Sequence, residues 1–433
     1  MSDSLKIAIA GLGTVGTGTI DLLQRGAEDI ASRCGRRIEI VGVSAREKSK
    51  GRGLNLDDFS WFDDPVSMSS DSDADVIVEL IGGADGVAKG VVEAAIQSSR
   101  HVVTANKALI AEHGKSLAIL AEEADVCLAY EAAVAGGIPV IKVLKEGLAG
   151  TRIGRLYGIL NGTCNYILSG MRDTGRDFSD VLAEAQELGY AEKDPSFDVD
   201  GVDAAHKLAI LACVAFGAKL DFDSVFIDGI RSMSSLDIKY AEEMGYRIKL
   251  IGIAQVHGDQ LEQRVHPCLV PSNSVLAAVD GVSNVVVAEG EFFGRCVLEG
   301  QGAGRGPTSS AVVSDLMDIA SERFTPTFGL PAKLLKSLTL TPINQRKGSY
   351  YVRLKVLDET GVMADIGAAF RDEAISMESI LQRAEDANGN VDVVIVTHNT
   401  VEADITRALR NIFMRESVVE EPQIIRIESI GVD

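Results

Sequence analysis

The sequence predicts an α/β protein in three parts, and three observations carry that reading. Strand-like apolar runs alternate with helical stretches over residues 1–138, which predicts a doubly wound parallel sheet. Beyond Pro139 the apolar segments alternate and are rich in Val and Ile, with helices between them, which predicts a mixed α+β unit. The last ~80 residues follow a βαββαβ order, which predicts a ferredoxin-like module.

The elements follow in order. Residues 6–10 read as a short buried strand, followed by Gly11-Leu12-Gly13-Thr14-Val15-Gly16 and a helix beginning near Thr19. Further strands are expected at 38–43, 75–80, 101–104 and 126–130, with helices at 87–98 and 109–124. In the second part, strands are expected at 153–160, 247–256, 265–270 and 284–289, and helices at 179–188 and 202–216. The glycine-rich stretch 300–306 leads into a helix at 308–319 that returns to the first part. The C-terminal order is strand 350–356, helix 363–373, strands 375–383 and 391–397, helix 403–414 and strand 424–427. The expected domains are therefore 1–138, completed by about 302–340; 139–301, for substrate and subunit pairing; a linker, 341–349; and 350–433.

Bulk properties narrow the function. The chain has 433 residues, enough for two or three domains, and 46% hydrophobic content supplies their cores. A formal charge of −21 argues against nucleic-acid and anionic-membrane partners, which need a basic footprint. The six cysteines lie far apart with no C-x-x-C pair, so neither zinc nor a redox dithiol is signalled. Scattered thiols, an N-terminus without signal-peptide layout and the lack of any apolar run of about 18 residues lead us to expect a cytoplasmic protein.

Gly11, Gly13 and Gly16 form G-x-G-x-x-G between a strand and a helix, the context a dinucleotide site requires. The first glycine permits the turn, the second lets backbone approach a pyrophosphate, and the third lets helix and strand pack closely. Free N–H groups at Thr14 and Val15 would face the phosphates. This is a Rossmann-type domain. Its second strand ends in Val43-Ser44-Ala45-Arg46, where an NAD-preferring fold has Asp or Glu. Ser44 and Arg46, in a basic cluster with Lys48, Lys50 and Arg52, favour NADP, with NAD still possible; a solvated basic loop is the plain alternative.

The stretch from Ala191 to Lys207 places Glu192, Asp194, Asp198 and Asp200 in a turn, then Asp203 and Lys207 four apart at a helix start. Residues at i and i+4 share a helix face, so an aspartate and a lysine point into one space. Read from the residues alone, these are equally an exposed ion pair and a solvated acidic loop. His206 points about 100° away from Lys207 and reads as structural.

Together with Val78-Glu79-Leu80-Ile81-Gly82-Gly83, Thr104-Ala105-Asn106-Lys107, Glu131 to Pro139, Asn161-Gly162-Thr163-Cys164-Asn165-Tyr166 and Gly302-Ala303-Gly304, this stretch resembles homoserine dehydrogenase. The resemblance spans residues 5–340. It implies reversible reduction of L-aspartate 4-semialdehyde to L-homoserine with a nicotinamide cofactor, on the route to threonine, methionine and isoleucine. It implies Lys207 as proton donor, Asp203 as its electrostatic support, and Lys107 beside the nicotinamide. Glu192 and Asp198 would grip the substrate ammonium, with Tyr190 and Thr163 also at the substrate, and Gly302 and Gly304 against the nicotinamide end. A structural sodium-type cation is implied at the Glu131 side chain and the carbonyls of Val134, Gly136 and Ile138. The alternatives are another NAD(P)-dependent amino-acid or semialdehyde dehydrogenase, or a catalytically silent nucleotide-sensing regulator. Cys164 as a thiolate nucleophile is a rival mechanism that lacks an evident histidine partner.

The segment 356–366 resembles the first turn of an ACT domain, with Thr360 where that pattern has Pro. This resemblance implies edge-strand pairing and L-threonine as feedback effector; a homodimer or homotetramer is expected. A stabilising module without ligand is the alternative.

Overall fold

The computed structural model describes residues 4–53, 55–382 and 389–430. β1 (Leu5–Ala10), β2 (Ile38–Ser44), β3 (Ser60–Phe62), β4 (Val76–Glu79), β5 (His101–Thr104) and β6 (Leu128–Ala129) form a parallel sheet in the order β3-β2-β1-β4-β5-β6. β1 and β4 are almost wholly buried, because helices cover both faces of a parallel sheet. The strand order reverses beside β1, which opens a crevice past the carboxyl ends of β1 and β4. The glycine turn occupies that place. Its helix, Thr14–Arg25, starts earlier than expected, since glycine and threonine carry no apolar periodicity for a reader to follow.

The rest of the chain builds one larger sheet. β7 (Ile153–Ile159), β8 (Phe226–Ile227), β9 (Tyr246–His257), β10 (Gln260–Pro271), β11 (Ser283–Gly290) and β12 (Gly294–Gln301) form the middle part; β13 (Thr339–Leu340) pairs with β10. β14 (Lys347–Leu357), β15 (Met377–Gln382), β16 (Asn390–Thr397), β17 (Thr400–Val401) and β18 (Gln423–Ile427) form the C-terminal module. Its helices, Val362–Asp372 and Glu402–Phe413, complete the expected βαββαβ order, and its core strands lie as β18-β14-β16-β15. Arg383, at the end of one expected strand, lies outside the described residues.

Three of the expected domain bounds meet contacts that cross them. The C-terminal module is not set apart: β18 pairs in parallel with β10, Cys268 beside Arg426, so the two sheets are continuous. Residues 341–349 are not a free linker either. Arg346 is buried and donates to Glu428 at 2.8 Å, a carboxylate that Arg264 also reaches at 3.0 Å, because a buried charge needs a partner. Finally, 302–340 packs on the first unit over most of its length, as Ala311, Val312 and Leu316 lie in one core with Ile7 and Ile9, and leaves it only at its end. The helix Arg305–Ala320 packs on Thr14–Arg25, but Thr339–Leu340 has already joined β10, and Gly300 and Gln301 belong to β12. Arg305 fastens the two helices, donating to Asp21 at 3.2 Å and to the Thr17 carbonyl at 3.3 Å.

No helix among the described residues is long and apolar enough to cross a membrane.

Candidate active site

The helix Val202–Phe216 is apolar and buried on nearly every side, yet it carries Asp203 (4% exposed) and Lys207 (8% exposed) into the interior. Gly201, at φ +85°, starts it, and Gly217, at φ +61°, stops it. Charged residues stay buried only when paired. The Lys207 ammonium donates to Asp203 Oδ2 at 2.8 Å and to the Leu160 carbonyl, at the end of β7, at 2.7 Å. An ammonium has three N–H groups, so one is left for a third acceptor.

The other oxygen of Asp203 meets a lysine from the nucleotide domain. Lys107 Nζ lies 3.1 Å from Asp203 Oδ1. Lys107 opens the helix Lys107–Glu123, which Asn106 caps by accepting from Leu109 N at 3.1 Å. Burial works against the Lys107 charge, but Asp203, with help from Asp198 and Glu192, raises its pKa overall. Asp203 shows the converse balance: burial opposes its charge, while Lys207 and Lys107 hold the carboxyl below the usual range.

A residue that the site reading did not single out ties this cluster together. Asn161 directs its amide nitrogen at Asp203 Oδ2 and Asp198 Oδ1, both at 2.7 Å, and its oxygen accepts from Cys164 N at 2.8 Å, capping the helix Gly162–Thr174. The signal was an Asn directly before a helix, a preferred cap. Glu79 was missed likewise. Buried at the end of β4, it accepts from Thr104 Oγ1 at 2.6 Å and Ile81 N at 2.7 Å; Thr104 in turn accepts from Asn106 N at 3.0 Å, and Asn106 donates to the Gly83 carbonyl at 2.7 Å. That chain seats Lys107 and the Gly82-Gly83 turn.

Around the cluster, Phe197 lies across Lys107, its ring centre 5.4 Å from the ammonium. His206 is buried between Phe197 and Phe222, centroids 5.5 and 4.2 Å away. Burial, and then the charge of Lys107, lower its pKa, so it packs as a neutral ring. Glu192 is exposed, with its carbonyl held by Gln186 at 3.0 Å. Thr163 donates to the Tyr190 carbonyl at 2.7 Å, and the Tyr190 ring tilts against Tyr166. The structure thus brings Lys107, Asp198, Asp203 and Lys207 into one hydrogen-bonded group, and leaves Glu192 and Tyr190 on the rim.

The crevice beside β1 is a cleft of about 540 Å³, lined by Gly11, Gly13, Ser44, Arg46 and Lys50 among others. A Cβ at Gly11, where φ is +106°, would stand 2.5 Å from the Leu80 carbonyl oxygen, and one at Gly16 would stand 2.0 Å from that of Gly11. A Cβ at Gly13 would meet only open space, so its lack of a side chain keeps the cleft clear. Gly13 also caps the helix without a side-chain acceptor, which leaves the first turn ready for an anion. The Ser44 hydroxyl is buried and has no partner. Arg52 is occupied with the carbonyls of Leu12 (3.3 Å) and Lys50 (2.8 Å). Gly302 faces Asn284, and Gly304, at φ +123°, caps the helix Arg305–Ala320.

Two further groups are placed plainly. Cys164 is fully buried, donates toward the Asp198 carbonyl at 3.2 Å, and burial followed by Asp198 pushes its thiol well above the ordinary value. It therefore supplies no thiolate. Glu131 accepts from the N–H groups of Ile141 (2.9 Å) and Lys142 (2.8 Å), and burial, then Asp315, push its carboxyl up to about 7.

A glycine turn at the strand switch point, facing a lysine–carboxylate cluster on an adjoining domain, defines a nicotinamide-type oxidoreductase, here carrying an ACT module. The comparisons agree. The profile described as homoserine dehydrogenase matches residues 139–317, its NAD binding domain matches 11–131, and an ACT domain matches 350–413. The homoserine dehydrogenase of Pseudomonas aeruginosa is 44% identical over 99% of both chains, and that of Neisseria gonorrhoeae is 43% identical over 98% of this chain and 99% of its own. The crystal structure of a homoserine dehydrogenase from Thiobacillus denitrificans superposes with a TM-score of 0.93 at 41% identity, covering 99% of both chains. A hyperthermophilic archaeal homoserine dehydrogenase in complex with NADPH gives 0.64 at 26% identity, covering 75% of this chain and 99% of its own. The chain belongs to the homoserine dehydrogenase family, and it is an oxidoreductase.

Proposed function

We propose that the chain reduces L-aspartate 4-semialdehyde reversibly to L-homoserine with NADP(H), using Lys207 as proton donor. One observation carries this reading: two lysines from different domains converge on the single buried carboxylate of Asp203. The cleft fits a dinucleotide, because Gly13 adds no side chain to the open space in front of it, Gly11 and Gly16 allow the tight turn that their own backbone neighbours would deny any other residue, and the buried Ser44 hydroxyl has no hydrogen-bond partner. Arg46 and Lys50 at the cleft, with no acidic residue closing β2, support NADP over NAD. The archaeal relative's NADPH complex supports the same choice.

When bound, the dihydronicotinamide supplies the hydride taken up by the aldehyde carbon. The carbonyl electron pair then moves onto oxygen, which needs a proton. In this reading the third N–H of Lys207 gives it, and the resulting amine regains a proton from solvent. Asp203 orients that nitrogen and stabilises its charge. Lys107 polarises the carbonyl or contacts the cofactor. Asp198 and Glu192 attract the substrate ammonium, with Thr163 and Tyr190 also at the substrate.

Two further parts belong to this reading. A structural sodium-type cation at Glu131 and the carbonyls of Val134, Gly136 and Ile138 belongs to this reading because the set is all oxygen, as a hard cation requires; Glu131 would share its oxygens with the N–H groups of Ile141 and Lys142. L-Threonine acts as feedback effector on the ACT module, in a homodimeric or homotetrameric assembly. A threonine titration that moves neither rate nor melting temperature would remove that part.

The deciding assay follows NADPH oxidation with aspartate semialdehyde for wild type and Lys207→Ala. Loss of the proton donor lowers turnover about 10²–10⁴-fold while NADPH binding persists. Equal turnover in the variant refutes the assignment.

A further inference from the structure

Asp198 and Asp203 are two carboxylates that share one amide. The Asn161 nitrogen has two hydrogens, and each serves one of them at 2.7 Å. The amide orientation follows from this network, since the reverse flip would turn its oxygen on two carboxylates. The Asn161 oxygen is separately engaged by Cys164 N at 2.8 Å, which pins the side chain to a helix start. The residue is 3% exposed and directly follows Leu160, whose carbonyl holds Lys207. One short segment, Leu160-Asn161, therefore contacts the lysine and both carboxylates.

The geometry has a consequence for the division of labour. Asp203 spends both oxygens on cations and on Asn161. Asp198 gives Oδ1 to Asn161, and among the described residues no hydrogen-bond donor reaches its other oxygen. Without the amide between them, the two carboxylates would repel and compete for the same ammonium of Lys207. We infer that Asn161 is a positioning residue for the reaction: it keeps Asp203 on the lysines and turns the free oxygen of Asp198 toward the ammonium of the substrate. This rests on the proposed reading of Asp198 as a substrate carboxylate, and it adds the element that gives the two aspartates different tasks.

The test uses the full-length enzyme. Asn161→Ser keeps a capping oxygen, but one hydroxyl donor cannot span two carboxylates. Asn161→Asp keeps cap and shape and removes both donors. In each, the KM for aspartate semialdehyde rises at least about tenfold, more than kcat falls, and the KM for NADPH stays within about twofold. Combined with Asp198→Asn, which raises the same KM, Asn161→Ser adds little to that KM, because the charged carboxylate it steers toward the substrate has gone, and keeps only its smaller effect on kcat through Asp203; a cap alone predicts additive losses in KM. NADPH binding certifies that each variant is folded. If both Asn161 variants keep wild-type KM while Asp198→Asn raises it, the inference falls and the reading of Asp198 stands. If Asp198→Asn leaves KM unchanged, that reading falls and takes the inference with it.

Discussion

Lys107 and Asp203 belong to different domains, and their side chains meet at 3.1 Å. The pair closes the nucleotide domain onto the substrate domain at the point where the two carry their charged groups. Removing the shared carboxylate has a price set by burial. Asp203→Ala leaves Lys207 without its carboxylate in the interior, and loss of one partner of a buried pair costs about 3–5 kcal/mol. Chemical denaturation is expected to show a fall of that size, with turnover reduced as well. Asp203→Asn, which keeps a hydrogen-bonding shape, is expected to lose less stability.

The Glu79 network predicts an effect away from the reacting atoms. Glu79→Gln keeps the volume but has one acceptor oxygen where Glu79 uses two, so either the Thr104 hydroxyl or the N–H groups of Ile81 and Gly82 lose their acceptor. A buried group left poorly matched costs about 1–3 kcal/mol. Denaturation should report that loss, and the KM for NADPH should rise as the Gly82-Gly83 turn loosens.

Cofactor choice is tested at the rim of the cleft. Arg46→Ala is expected to raise the KM for NADPH about tenfold, at the lower end for a charge-assisted contact because the residue is exposed, and to leave that for NADH nearly unchanged. Equal effects on the two cofactors would remove Arg46 from recognition of the 2′-phosphate.

The junction with the ACT module predicts a pH dependence. Burial opposes the charge of Glu428, but Arg264 and Arg346 bring its carboxyl down to about 2. A depressed carboxyl contributes stability that is full above the unfolded pKa, near 4.5, and is lost as pH falls toward about 2. Glu428→Gln is therefore expected to be clearly less stable than wild type at pH 7. The gap should narrow steadily between pH 5 and pH 2 in melting-temperature measurements. A gap independent of pH would assign the effect to packing.

Much of the scaffold was readable from local pattern. Apolar runs marked β1, β2, β4 and β5, and the helix Val202–Phe216 matched its expected bounds, because continuous burial leaves a continuous apolar signature. The glycine turn was equally plain, since backbone clashes at Gly11 and Gly16 exclude any other residue type. The i,i+4 spacing of Asp203 and Lys207 needed no tertiary knowledge either.

Other features are long-range and left no local trace. Whether Asp203 and Lys207 face solvent or the interior depends on Leu160, Asn161 and Lys107, which reach them from distant parts of the chain. The same holds for the seam between β10 and β18 and for the burial of Arg346, where hydrogen-bond partners lie 82 residues apart. Periodicity records which face of an element is apolar; it does not record which other element will cover that face, and a charge becomes a working group only once that cover is in place.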